Sequence, residues 1–246
     1  MNDALALPPA GAVLRDDLRF VARWLLLGGA AGGLAGFLVG GVGGRLAMFV
    51  LRLTSSDSVV GVQSDDDFTI GKISSASLFL LLITAFLGVI VGVAVVVARS
   101  QLPGVWGASL VVAAAGTSGA AAIIKPDGVD FNLLSPLWLA CLLFTLIPSL
   151  AAALMVWFVR RWQVWWWQDR RRTILASLPW LLAVPTFFES IPFIIVSVAA
   201  GTAVLRFRIL RTALTNRVGL VVVAVLAIAV FAVSSLELIR DVGEIL

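Results

Sequence analysis

No histidine and no tyrosine occur anywhere in this chain, cysteine appears once and lysine twice. Each absence removes chemistry. Without histidine there is no imidazole proton shuttle, no His-ligated haem and no Ser–His or Cys–His catalytic pair. Cys141 stands alone in an apolar run, so neither an intrachain disulfide nor a thiolate metal site is available. Charge is scarce as well: charged residues make up 13% of the chain, against about 25% in an ordinary soluble domain. The N-terminal stretch MNDALALPPAGAVLRDDLRF places no basic region before its short apolar run, so it lacks the order of a cleaved signal peptide.

Motif searches extend the exclusions. There is no H-E-x-x-H, no paired-glutamate helix motif, no Asp-rich prenyltransferase box and no G-x-x-x-x-G-K-[ST] loop. Gly116-Thr117-Ser118-Gly119 resembles the serine motif of rhomboid proteases, which require a histidine that this chain does not have. The expectation is a protein that is not an enzyme, with no cofactor and no metal centre. The net charge of +4 sits in short clusters between apolar runs, a topology signal and not a nucleic-acid footprint.

What the chain does have is apolar length. It is 61% hydrophobic, with a mean hydropathy of +1.06. Six segments approach or exceed the roughly 20 residues of a spanning helix: about 20–51, 78–98, 105–124, 137–159, 178–205 and 218–239. The expected fold class is all-α, a polytopic helical membrane bundle in which residues 1–19 form a cytoplasmic N-terminal segment and 20–246 a single transmembrane domain. The fifth segment is broken by Pro185 and Pro192, and two readings stand for it: a kinked but ordinary span, which base rates favour, or a re-entrant pair of half-helices. The positive-inside rule puts the N-terminus in the cytoplasm. An ordinary fifth span then leaves ten Lys and Arg inside and seven outside, whereas a re-entrant one gives thirteen and four, leaving aside Arg45. In the acidic 52–76 loop, alternating apolar residues flank an Asp-rich turn, a pattern for a small extracytoplasmic β-hairpin at 58–74.

Within this frame several residues stand out. Nine of the seventeen residues from Gly28 to Gly44 are glycine, and Gly28, Gly32, Gly36, Gly40 and Gly44 recur every fourth position. In water each would cost a helix about 1 kcal/mol. In a bilayer the backbone must be helical regardless, and a row of small residues invites close helix packing. Glu189 lies in the middle of the fifth segment, where an ionisable group is a candidate ion or substrate site together with Arg45. Asp65, Asp66, Asp67 and Asp130 form a candidate outer-face acidic cluster, with simple solvation the better reading for the aspartate run. Trp162, Trp165, Trp166 and Trp167, followed by Arg170, Arg171 and Arg172, read as a membrane-interface anchor, rings at headgroup level and arginines on anionic lipid. Glu237 and Arg240 are spaced for an ion pair at a helix end. Ser74, Thr84 and Arg99 recur as Ser135, Thr145 and Arg160 at a constant offset of 61, an echo of two helix hairpins of the same orientation.

The stretches GGRLAMFVLRLTS (43–55), SDDDFTIGKIS (64–74), DFNLLSPLWLACLLFTLIPSL (130–150) and RDVGEIL (240–246) resemble a group of uncharacterised multi-pass membrane proteins from GC-rich bacteria. The resemblance runs from about Gly40 onward and implies that the Arg45 region and the two Asp-Phe loops form one outer-face cluster; it implies no activity. Two functions follow as expectations. The first is a non-catalytic accessory or scaffold subunit of the bacterial inner membrane that packs through its glycine-rich helix. Its partners would be the lipid bilayer and a homo-oligomer or larger membrane complex, with no nucleic acid. The alternative is a small-solute or ion transporter or channel using Glu189.

Overall fold

The computed structural model describes residues 14–56, 61, 75–102, 104–128, 131, 133–163, 196 and 217–246. Every regular element among them is helical: α1 (Leu14–Ala35), a π-helical stretch (Gly36–Gly43), α2 (Gly44–Thr54), α3 (Ser75–Gln101), α4 (Gly104–Ile123), α5 (Leu137–Trp162) and α6 (Arg217–Ile245). Five helical stretches are long and apolar enough to cross a membrane, counting Leu18–Thr54 as one continuous rod. The segment 178–205, with its prolines, lies outside the described residues apart from Val196, as does the hairpin expected at 58–74 apart from Gly61.

The helix ends follow local chemistry. α1 starts at Leu14 and not at Phe20, so Arg15, Arg19 and Arg23 belong to its first turns. α3 and α4 meet at a tight turn where Gly104 has φ +83°, a left-handed conformation that favours glycine. The turn is fastened by Arg99, whose Nη1 donates to Leu102 O at 2.5 Å and Gly104 O at 3.1 Å. Pro136, extended at ψ 143°, precedes α5 and its carbonyl accepts the Leu139 amide at 3.0 Å.

Contacts set the direction of each helix. Gly28 lies on Gly92 and Gly32 on Gly88, so α3 runs back along α1. Gly116 lies on Ser149 and Gly119 on Pro148, so α5 runs back along α4. Ser118 and Ser234 share a hydrogen bond at 3.0 Å, and Lys125 reaches Glu237, so α6 runs parallel to α4. The lower end of the bundle therefore carries Leu14, Gln101, Gly104, Trp162 and Arg217; the upper end carries Thr54, Ser75, Ile123, Leu137 and Ile245. α5 finishes and α6 begins at the same lower end.

Among the described residues two main apolar cores result, with a smaller cluster of Phe20, Val21 and Leu25 near the start of α1. The larger, lower one gathers Leu27, Ala30, Ala31, Val96, Met155 and Val159 from α1, α3 and α5. The upper one joins Leu51 of α2 to Ile124, Phe131, Leu134, Ala140 and Cys141. The Leu18–Thr54 rod is 37 residues long, about 55 Å, and exceeds a hydrocarbon core of about 30 Å. Its α2 portion is used in the upper core, where Ser135 N–H donates to Ser55 Oγ at 2.8 Å.

Candidate functional site

Among the described residues the glycine row makes the closest approach between helices, and the contact is internal to the chain. A Cβ built on Gly28 would lie 2.7 Å from Gly92 O and from Val93 Cα; one on Gly32 would lie 2.7 Å from the Gly88 carbonyl carbon and 2.8 Å from Gly92 Cα. Gly36 sits over the Thr84 carbonyl and 3.1 Å from Gly88 Cα by the same measure. Two small residues spaced by four, Gly88 and Gly92, supply the complementary face on α3, a counterpart that the sequence reading passed over. Gly40 is looser, its added Cβ 3.2 Å from Thr84 Cβ, and Gly44 meets nothing within 4 Å. The row thus meets α3 backbone over its first three members, the Thr84 side chain at Gly40, and leaves the seam only at Gly44.

The π-helical stretch keeps the helix on α3 beyond Gly36. In an α-helix a four-residue repeat drifts about 40° per step, so Gly36 has already turned from the line of Gly28. The wider π turn reverses that drift and keeps Gly41 on α3, where an added Cβ would lie 2.7 Å from Leu81 Cδ2. Thr84, at the centre of this contact, returns its hydroxyl to Leu80 O at 2.8 Å.

Polar groups inside the spans behave alike. Thr117 donates to Ala113 O at 2.8 Å, Thr145 to Cys141 O at 2.7 Å and Ser149 to Thr145 O at 2.8 Å. Each hydroxyl is satisfied by its own helix, as a low-dielectric surrounding requires.

Among the described residues, ionised groups stand at the ends of the bundle. At the upper end Lys125 Nζ lies 2.6 Å from Glu237 Oε1 and 3.5 Å from Asp241 Oδ2. Asp241 is buried beside the upper core and Lys125 is half-exposed. The hydrogen bond to Glu237 pushes the Lys125 pKa above its ordinary value; desolvation opposes it, and the charges of Glu237 and Asp241 add to the rise. Lys125 is held protonated, which makes this cluster a clamp between α4 and α6 and not a proton acceptor. The ion pair expected between Glu237 and Arg240 is not formed: Glu237 turns to Lys125, and Arg240 Nε pairs with Glu244 Oε1 at 2.9 Å. The spacing of Glu237 and Asp241, one helical turn apart, was the available signal. Their cationic partner comes from a different helix, which spacing within one helix cannot name.

A folded-state pKa raised above the unfolded one stabilises fully below the ordinary lysine value, and that stability is lost as the pH rises through the raised value. The clamp therefore holds at neutral pH. Lys125→Met is expected to lower the melting temperature at pH 7 by leaving Asp241 buried without its cation, and Asp241→Asn in the same chain to recover part of the loss. A double variant no better than Lys125→Met alone would remove the coupling.

Arg45 Nη2 donates to Ser77 Oγ at the start of α3, so Arg45 stands at the upper end, tied to a neighbouring helix. Trp162 is buried at the base of the lower core and stacks on Phe158, centroids 4.6 Å apart; it packs inside the bundle. Glu189, Asp65, Asp66, Asp67, Asp130, Trp165, Trp166, Trp167, Arg170, Arg171 and Arg172 lie outside the described residues. No protein-family model, curated protein or solved structure matches the chain.

Proposed function

We propose that this chain is a non-catalytic accessory or scaffold subunit of the bacterial cytoplasmic membrane, its N-terminus and the lower end of the bundle facing the cytoplasm. The observation that carries the reading is the placement of polar groups. Among the described residues, ionised side chains gather at the two ends and the hydroxyls between them bond mainly to their own helices, so no polar file runs from end to end. A permeation path needs such a file. The glycine face of α1 is occupied by α3, so a partner has to meet another flank. α6 offers one: Val221, Val225 and Leu236 are each more than half exposed.

Orientation rests on charge. Among the described residues the lower end carries seven arginines against two aspartates, and the upper end four basic residues against four acidic ones. Because the chain leaves α5 and rejoins α6 at the lower end, the re-entrant alternative for 178–205 is the one supported: five spans, and two half-helices hinged at Pro185 and Pro192. The split of thirteen cytoplasmic basic residues against four then satisfies the positive-inside rule.

Extraction from the native membrane in mild detergent tests the subunit reading. The expected species is heavier than the 26.0 kDa of one chain, and Val225→Trp reduces it to that mass without changing the melting temperature. A lipid-facing position accepts tryptophan, whereas an interface does not. A wild type that behaves as a single chain sinks the proposal. The second reading, transport through Glu189, rests on a carboxylate between two prolines in an apolar segment. It predicts that Glu189→Gln abolishes flux in reconstituted vesicles while expression is kept; unchanged flux removes it.

A further inference from the structure

We propose that Arg99 and Arg160 together form a binding site for a phosphate-bearing anion at the lower face, of the chemistry presented by an anionic phospholipid headgroup. Arg99 ends α3 and Arg160 ends α5, two helices that run in the same direction and reach the same end of the bundle. The pair stands at equivalent points of the two hairpins. The offset of 61 that relates them also relates Thr84 to Thr145, each of which returns its hydroxyl to the carbonyl four residues back. It relates Gly88 to Ser149 too, each of which receives a glycine of the preceding helix.

The local geometry leaves cationic capacity unspent. Arg99 is oriented by its two bonds to the α3–α4 turn, both made by Nη1, and its Nε is buried with no hydrogen-bond partner. Arg160 is exposed at the end of α5, next to Val159, which shares the lower core with Val95 and Val96 one turn before Arg99, and it has no ion-pair partner among the described residues. Two guanidinium groups at one end of the bundle, with no carboxylate paired to either among the described residues, call for an anion, and a phosphate with its forked oxygens fits the planar donors of arginine. The surroundings fit a headgroup in particular. Trp157, 56% exposed, lies one turn deeper on the face of Arg160, which places an apolar ring below and a cation above, in the order of acyl chain and phosphate. This inference does not depend on the subunit reading.

The full chain, delipidated in detergent, is titrated with short-chain phosphatidylglycerol, phosphatidylcholine and inorganic phosphate while the melting temperature is followed. Phosphatidylglycerol is expected to raise it and phosphatidylcholine to leave it unchanged. Arg160→Gln weakens the response about tenfold, the loss of one charge-assisted hydrogen bond. Arg161→Gln, one position round the helix, titrates as wild type. Arg99→Gln weakens it similarly, but this change also loosens the α3–α4 turn, so Arg160→Gln is decisive. An equal response to inorganic phosphate supports the site and assigns it to a free anion. An Arg160→Gln chain that responds as wild type does, or loses no more than Arg161→Gln, overturns the proposal.

Discussion

Gly32→Ala lowers the melting temperature of the detergent-solubilised chain, and Gly44→Ala raises it. Both changes add one methyl group to a glycine of the same four-residue row, and both gain about 1 kcal/mol of helix propensity. The difference lies in what the methyl meets. At Gly32 it falls on the Gly88 carbonyl and 2.8 Å from Gly92 Cα, backbone atoms that no side-chain rotation can move. The two helices must separate, and overpacking of this kind costs about 1–3 kcal/mol. With backbone on both sides the upper part of that range applies, so the loss exceeds the propensity gain. Separation also opens the contacts of Ala31 and Ala35, which are buried to 0% exposure on the same helix. At Gly44 the backbone is already helical, φ −58° and ψ −43°, and nothing lies within 4 Å of the new atom. The gain stands there uncancelled, worth about 2–4 °C in a chain of this size. Gly32→Leu is expected to go further and to broaden or abolish the unfolding transition. The nine tryptophans make intrinsic fluorescence a sufficient probe. Shifts of the same sign at the two positions would refute the seam, since propensity alone treats them identically.

That contrast also shows where sequence reading reaches its limit. Hydropathy placed α3, α4 and α5 within a few residues and the start of α6 as well, though α6 continues to Ile245, because a spanning helix must be apolar for its whole length and the bilayer penalises any other backbone state. The glycine row was legible as a packing surface for the same reason. Its partner was not, although Gly88 and Gly92 were in plain view: small residues say that something approaches and carry no information on which helix does. The π-helical stretch was illegible too. Five glycines between 36 and 44 weaken the α ladder without specifying how it yields, and the answer depends on keeping Gly41 against Leu81 of another helix. At the upper end, charge spacing named Arg240 as the partner of Glu237, whereas tertiary packing supplied Lys125 from α4. Local patterns thus fixed what each segment can bury, and the pairings between segments followed from geometry over more than a hundred residues of separation, as Lys125 and Glu237 are.

The second large effect is topological and all-or-none: a reporter fused after Leu246 is expected outside the cytoplasm, on the opposite side from the N-terminus. Three pairings carry the argument. α3 returns along α1, α5 returns along α4, and α6 runs parallel to α4, fixed at two levels by Ser118 with Ser234 and Lys125 with Glu237. The last of these pairings decides the outcome, because it puts Arg217 beside the start of α4 and the C-terminus beside Lys125. An ordinary sixth span over 178–205 would instead bring α6 in from the upper side and make it antiparallel to α4. Ser234 would then lie far from Ser118, and Glu237 at the opposite end from Lys125. Alkaline phosphatase after Leu246 should be active and a fluorescent protein there dark, with the reverse at the N-terminus. The charges agree, since Arg206, Arg208, Arg211 and Arg217 then remain on the cytoplasmic side with the other arginine clusters. Lys125→Met with Ser118→Ala should leave the reporter pattern unchanged, because the arginines set orientation and the clamp only stabilises it. A cytoplasmic C-terminus in the wild type would break the parallel pairing of α4 and α6 and restore Glu189 to the middle of a full span. The transport reading would then overtake the subunit one.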